Sequence, residues 1–192
     1  MSPRTIKQNQ SIRDKSRKNI SEAALMVFAE EGYHSASVSK IASRAGVSKG
    51  LMYNYFKSKE ELIRGLLLDV LSEAESKIGL PQDRPLADKD VKVFIKESFA
   101  FIQQNPHRWK LFFSIYIQKE VMELMREEMM QRANTFVNPF IEYFTSKGLK
   151  DPEVMTRYFH ATIDGVQMQL MMDPEHFPAK QVRKLILKQF VK

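Results

Sequence analysis

The sequence predicts an all-α protein of about nine helices, and three observations carry that prediction. Apolar residues recur at i, i+3, i+4 and i+7 through almost every segment. Ser, Asn or Asp before these stripes and Gly or Pro after them supply the starts and stops that helices need. No segment alternates apolar and polar residues as a strand does, and there is no internal repeat or low-complexity tract. At 192 residues and 43% apolar content the chain can bury a core as one large domain, or as a small domain fused to a medium one.

Residues 1–12 mix Lys, Arg, Gln and Ser and read as a frayed terminus or an arm along a polyanion. From about Asp14 to Glu31 a stripe of Ile20, Ala24, Val27 and Phe28 predicts the first helix, ended by Gly32. The next stretch, SVSKIASRAGVSKGLMYNYF over Ser37–Phe56, holds two short helical patterns. Ser37 caps the first, about Val38 to Ala45, whose Val38, Ile41, Ala42 and Ala45 form one buried face. Gly46 supplies the left-handed backbone that ends it, and Ser48 caps a second helix from Lys49 to about Phe56. Helix, glycine turn and capped second helix are the sequence form of a helix-turn-helix. In the second helix Leu51, with Met52, Tyr55 or Phe56, can pack inward, whereas Lys49, Gly50, Tyr53 and Asn54 have no reason to be buried. Taken singly Tyr53 and Tyr55 read as packing residues; together with a lysine for phosphate and a glycine admitting close approach, they read as a DNA-facing surface.

GYHSASVSKIASRAGVSKGLMYNYFKSKEELI, from Gly32 and Tyr33 through Lys59–Leu62, resembles the N-terminal DNA-binding signature of the tetracycline-repressor (TetR) family of bacterial regulators. The match covers about the first third of the chain; the rest resembles the family in being helical and of the right length. The resemblance implies an N-terminal three-helix helix-turn-helix domain, a C-terminal helical ligand-binding and dimerisation domain, and no enzymatic activity. Lys49, Gly50, Tyr53 and Asn54 are expected to face the operator, with Ser37 and Ser48 as caps. Lys40, Arg44, Tyr55 and Lys59 are expected on the DNA backbone. The domains are expected at 1–57 and 58–192, with 58–78 as a linking helix.

That linking helix opens on Ser58 and Glu61, a capping box, and carries Leu62, Ile63, Leu66, Leu67, Val70 and Leu71 over about 20 residues, roughly 30 Å. It reads as a lever or as a plain connector. Gly79–Ala87 is a break rich in turn formers. Asp88 is expected to cap a helix ending at Asn105–Pro106, followed by His107 to about Ile117, apolar nearly all round and therefore expected inside protein. A long helix from about Lys119 to Ser146, kinked at Pro139, comes next. Asp151–Pro152 opens a helix to about Met172, and the last runs from about Pro178 to Val191.

Eleven Met and thirteen Phe, concentrated after residue 90, are core residues or the lining of a pocket that adapts to an apolar or amphipathic ligand. The candidate lining is Trp109, Phe112, Phe113, Tyr116, Met125, Met129, Asn134, Asn138, Tyr158 and Asp164, with Gln118 and His160 as further polar groups. Asp164 reads equally as a core-paired acid or a cation-binding one. Tyr158, Ala161, Thr162, Gly165 and Gln169, with Val182, Leu185, Ile186 and Phe190, form two faces that the resemblance places in a four-helix homodimer interface.

Charge is uneven: through Arg64 twelve Lys/Arg stand against six Asp/Glu, leaving +6 of the chain's net +7 in the first third. That distribution suits one module on nucleic acid and another with a different task. The absence of Cys excludes disulfides and thiolate metal sites; His34, His107, His160 and His176 show no metal spacing, and no catalytic motif is present. Neither a leader pattern nor a run of about 18 apolar residues is present. The expected protein is therefore a cytoplasmic, bacterial, homodimeric regulator on palindromic operator DNA, nucleoid-associated when bound, released by a small effector and without cofactor, metal or membrane. The alternatives are a helical small-molecule-binding protein or enzyme without operator, and a DNA-binding architectural protein without effector.

Overall fold

The computed structural model describes residues 6–191, apart from the side chains of residues 6, 7, 9, 10 and 134; residues 1–5 of the expected arm lie outside it. Ten helices and no strand occur among the described residues: α1 (Ile6–Ser35), α2 (Val38–Arg44), α3 (Lys49–Tyr53), α4 (Lys59–Ile78), α5 (Asp88–Gln104), α6 (Pro106–Tyr116), α7 (Lys119–Leu124), α8 (Arg126–Ser146), α9 (Pro152–Met172) and α10 (Ala179–Phe190).

Two compact units divide them, one holding the residues up to Val70 with Leu111–Met125, the other Leu71–Lys110 with Arg126 onward. The first closes on Ile20, Ala24, Val27 and Phe28 of α1, Ile41 and Ala42 of α2, Met52 of α3, and Leu62, Ile63, Leu66 and Leu67 of α4, all at most 3% exposed. Each of these side chains larger than alanine contributes about 1.5–3 kcal/mol on burial, which holds helices too short to persist alone. The second closes on an aromatic cluster: Phe94 of α5 meets Phe140 of α8 at 4.9 Å and Phe159 of α9 at 5.7 Å, and Phe159 meets Phe190 of α10 at 5.0 Å.

Several boundaries differ from expectation. α1 starts at Ile6, not near Asp14, because Lys, Gln and Arg favour helix without needing an apolar face. α3 stops at Tyr53 rather than Phe56: both Tyr55 N–H and Phe56 N–H return to the carbonyl of Met52, and the chain turns. The expected long helix is two, α7 and α8, parted at Met125, which raises the count from nine to ten. Asp88 does not cap α5; the Asp90 carboxylate does so, accepting from Ala87 N–H at 2.8 Å, while Asp88 accepts from Tyr143 O–H at 3.0 Å. The segment after Pro106 is not enclosed either: Trp109, Phe112 and Ile115 are buried, but Ile117 is 67% exposed.

Candidate nucleic-acid interface

The geometry of the motif follows from three local signals. The Ser37 hydroxyl accepts from Lys40 N–H at 3.2 Å and starts α2. At its end Gly46 takes φ 67°; Gly46 N–H reaches Ser43 O at 3.2 Å and Val47 N–H reaches Ala42 O at 3.0 Å, the paired bonds of a Schellman cap. Ser48 accepts from Leu51 N–H at 3.1 Å and starts α3. Met52, 1% exposed, anchors α3 inward, and Phe56 is buried beside it in sequence. Left outside are Lys49, Gly50, Tyr53 and Asn54, as the sequence indicates, and Leu51 at 37% exposure, which the sequence reading had packed inward. A Cβ added at Gly50 would meet nothing within 4 Å, so nothing inside the chain requires glycine there.

The basic residues divide sharply. Lys49 has no hydrogen-bond, ionic or ring partner among the described residues. Arg44 is held by Glu30 of α1 through two bonds, one at 2.8 Å from Nη2 to Oε1. That bond, with the positive charge, holds the Glu30 carboxyl below its ordinary range. Lys40 pairs with Glu31. Both are surface pairs screened by solvent, so a phosphate can displace either carboxylate. Lys59 is different, because its ammonium is engaged within the chain. Its ammonium donates to the carbonyls of Tyr33 at 2.7 Å, His34 at 3.3 Å and Ala36 at 3.3 Å, and lies 4.5 Å from the Tyr33 ring centroid. An ammonium has three N–H donors, and three carbonyls engage them. Tyr55 is half-buried beneath the Arg13 guanidinium, 5.8 Å from its ring centroid, and serves to brace α1 as well as to face outward.

Tyr33 joins these elements. Its hydroxyl donates to Glu60 Oε1 at 2.9 Å, and burial with that neighbouring carboxylate pushes its pKa up to about 12. The α4 cap is formed with one change: Ser58 accepts from Glu61 N–H at 3.1 Å, but the Glu61 carboxylate reaches back to Lys57 N–H, at 2.6 Å, rather than to Ser58 N–H.

The candidate ligand residues fall in both units. In the first, Phe112 stacks on Tyr116 at 5.9 Å and meets Phe113 edge-on at 5.6 Å; Met125 is fully buried. In the second, Trp109 packs on Phe101 at 5.2 Å and Met129 is half-buried. Asn138 and Asp164 are exposed, and the Asn134 side chain lies outside the description. Protein atoms crowding Asp164 nonetheless raise its carboxyl pKa. His160 stands against Phe140 at 5.0 Å and Phe94 at 6.1 Å with Nε2 sealed from solvent and unpartnered, and this desolvation lowers its pKa to about 4.

Of the candidate dimer residues, Ile186 and Phe190 are buried in the chain's own core and are corrected to packing residues. Phe190 abuts Tyr158 at 5.3 Å, and Gln189 donates to the Tyr158 hydroxyl at 2.7 Å, which places Tyr158 on the α9–α10 surface. Ala161, Gly165, Gln169 and Leu185 are exposed; Thr162 and Val182 are half-buried. Val154, Met168 and Met172, which lie outside the small-residue pattern, are 66%, 58% and 69% exposed. With Tyr158, Ala161 and Gly165 they recur at alternating steps of four and three, the seam of a coiled coil, and that spacing is visible in the sequence.

Among the described residues no helix is long and apolar enough to cross a membrane, and no group of three or more His, Asp or Glu is placed to hold a metal ion.

Comparison with known proteins agrees with the motif. Residues 20–66 match the family described as bacterial regulatory proteins, tetR family. The fatty acid metabolism regulator protein of Bacillus subtilis (strain 168) is 26% identical over 136 residues, 70% of this chain and 69% of that one. A transcriptional regulator structure from Pseudomonas aeruginosa PAO1 superposes with a TM-score of 0.74 at 19% identity, covering 93% of this chain and 95% of that one. The structure of the regulator FadR from Bacillus subtilis in complex with stearoyl-CoA superposes with a TM-score of 0.67 at 24% identity, covering 91% and 97%. At these identities the two structures show the shared fold. The matched segment contains all of α2 and α3, with their caps and their outward face. Residues 20–66 are thus similar to the tetR family of bacterial regulatory proteins, and the chain shares its fold with solved transcriptional regulators.

Proposed function

We propose that the protein is a cytoplasmic homodimeric repressor that leaves a palindromic operator when a small apolar or amphipathic effector binds. The observation that carries this reading is the outward face of α3, where unpaired Lys49, side-chain-free Gly50 and half-exposed Tyr53 stand over a buried Met52. Lys49 supplies charge to phosphate, while Tyr53 and Asn54 meet base edges or phosphate. Lys40, Arg44 and Tyr55 flank them on the backbone.

One such motif buries little DNA surface, so two copies are needed, reading half-sites about 34–36 Å apart. The exposed seam of Val154, Tyr158, Ala161, Gly165, Met168 and Met172 supports pairing through α9, with Leu185 of α10 beside it. Residues 1–57 then form the reading domain and 58–192 the effector and dimerisation domain. The aromatic and methionine content after residue 90 supports an apolar or amphipathic effector, and FadR of Bacillus subtilis, solved with stearoyl-CoA, makes an acyl compound the first to test. No step of this reading requires catalysis.

The bonds along α4 favour a lever over a connector. Its N-terminal half is tied to α1 by Lys59, Glu60 and Asp69, the last 3.8 Å from Arg17. Its C-terminal half is tied to α6 and α8: Glu73 accepts from Arg108 at 2.6 Å, and Arg132 pairs with Glu75 and donates to Ser72 at 3.1 Å. A shift of either end is therefore carried along one helix. A coupling of about 1–3 kcal/mol changes operator affinity roughly 5–150-fold. The test is a gel shift at physiological salt with the DNA upstream of the protein's own gene, repeated with long-chain acyl-CoA. Retardation by the protein alone, relieved by the acyl compound, is expected; no retardation at micromolar protein overturns the reading.

A further inference from the structure

Gln118 occupies the N-cap position of α7, with extended backbone at φ −68° and ψ 131°, yet makes no side-chain cap bond to its own helix. Its amide instead points elsewhere. Nε2 donates to the Ser114 carbonyl in the last turn of α6 at 3.1 Å, and Oε1 accepts the backbone N–H of Tyr33 at 2.8 Å, 85 residues away in sequence.

The Tyr33 amide needs this partner because of what precedes it. Gly32 interrupts α1 at φ 78°, ψ 162°, far from helical values, so Tyr33 N–H loses its carbonyl one turn back. Tyr33 is only 9% exposed, and water is a poor substitute there. A second contact accompanies the first: Glu120, in the first turn of α7, lies 3.2 Å from Nε2 of His34.

The segment held in this way, Gly32–Ser37, leads directly into α2. Lys59 fixes its carbonyls, Glu60 fixes the Tyr33 hydroxyl, and four residues later Ser37 caps the first helix of the motif. The Gln118 bond is the contribution of the α6–α7 corner to that set. Breaking it leaves a part-buried donor without its partner or forces the α1–α2 connection to move.

We propose that Gln118 is the positioning residue through which the α6–α7 corner fixes the pose of the DNA-reading helices, so that displacement of the corner changes operator affinity. The inference rests on the operator reading for its second half, and on the hydrogen bond alone for its first.

The test compares the full-length wild-type chain with Gln118→Met, which keeps the length and removes the acceptor, and Gln118→Glu, which keeps an acceptor for Tyr33 N–H. Amide exchange is followed by NMR, melting by calorimetry, and binding by fluorescence anisotropy on a duplex from upstream of the protein's own gene. Leaving a part-buried N–H unpaired corresponds to at most roughly 5- to 150-fold. Gln118→Met is accordingly expected to speed exchange at Tyr33 by about that factor, with Ile41 of α2 still protected. It is also expected to weaken duplex binding several-fold, and Gln118→Glu to restore both. Unchanged Tyr33 exchange in Gln118→Met overturns the inference, and so does faster exchange with unaltered affinity. A wild-type chain that binds no duplex overturns the operator reading and the second half of this inference with it, while Tyr33 exchange still decides whether Gln118 holds the connection.

Discussion

Replacing Gly50 by alanine separates folding from DNA binding. Glycine in a helix is destabilising relative to alanine, and here nothing in the chain asks for it: the φ is not positive, and the added Cβ meets no atom within 4 Å. Alanine should therefore stabilise the fold by about 0.4–1 kcal/mol, chiefly by restricting the unfolded chain. For a chain of this size that raises Tm by about 1–4 °C. At the operator the sign reverses. If the α3 backbone lies against the duplex, each added methyl must be accommodated in a packed contact at about 1–3 kcal/mol. A dimer carries two such methyls, so affinity should fall at least tenfold while Tm rises. Calorimetry and an anisotropy titration on the upstream duplex measure the two effects in one preparation. A higher Tm with unaltered affinity would refute the assignment of this face to DNA.

Three further outcomes are expected. Tyr53→Ala, at a side chain 45% exposed, should abolish preference for the operator over random duplex while circular dichroism and oligomeric state stay as in the wild type; retained preference places recognition elsewhere. Lys49→Ala should flatten the salt dependence of binding by about 0.9 per subunit in the log–log slope, whereas Lys59→Met should leave the slope intact and lower Tm, because its ammonium serves carbonyls and not phosphate; a flattened slope in Lys59→Met reverses the two roles. His160→Phe should alter acid stability. In the folded chain His160 titrates near pH 4, below the ordinary histidine value of 6.5, so between those values the unfolded state binds more protons and the wild type loses stability as pH falls. The variant should escape a loss on the order of 2 kcal/mol between pH 7 and pH 4.5; parallel Tm curves for the two proteins across that range contradict it.

What the sequence made legible is what short-range chemistry decides. Ser37, Gly46 and Ser48 act within five residues of themselves, so the motif's caps and turn could be read in order and recur in the structure at those positions. The length of α4 was readable for the same reason, from one cap and one sustained apolar stripe. The end of α3 was not, because Phe56 looks helical by spacing but is drawn to the core by a turn at Met52. The start of α1 was not legible because periodicity is silent where successive residues, such as 11–15, are all exposed.

The charges of the interface show where such reading stops. Lys40, Arg44, Lys49 and Lys59 are alike in sequence, four basic residues in or beside one motif, and on that ground the sequence points all four at DNA. Their differences come from groups 9 to 26 residues distant: Glu31 and Glu30 on α1, nothing for Lys49, and the carbonyls released where α1 breaks at Gly32 for Lys59. No periodicity encodes those pairings; they arise once α1, α2 and α4 pack on a shared apolar core. The magnitudes then rank the four. Exposed, solvent-screened carboxylate pairs yield to a phosphate, so Lys40 and Arg44 remain available, each with a carboxylate that repels DNA until displaced. An ammonium with three carbonyl partners over a tyrosine ring does not yield so readily. On the proposed reading Lys59 would act on DNA by holding the α1–α2 connection in place, as proposed for Gln118 from the α6–α7 corner, and Lys49 would be the cation that meets the duplex without first breaking a bond.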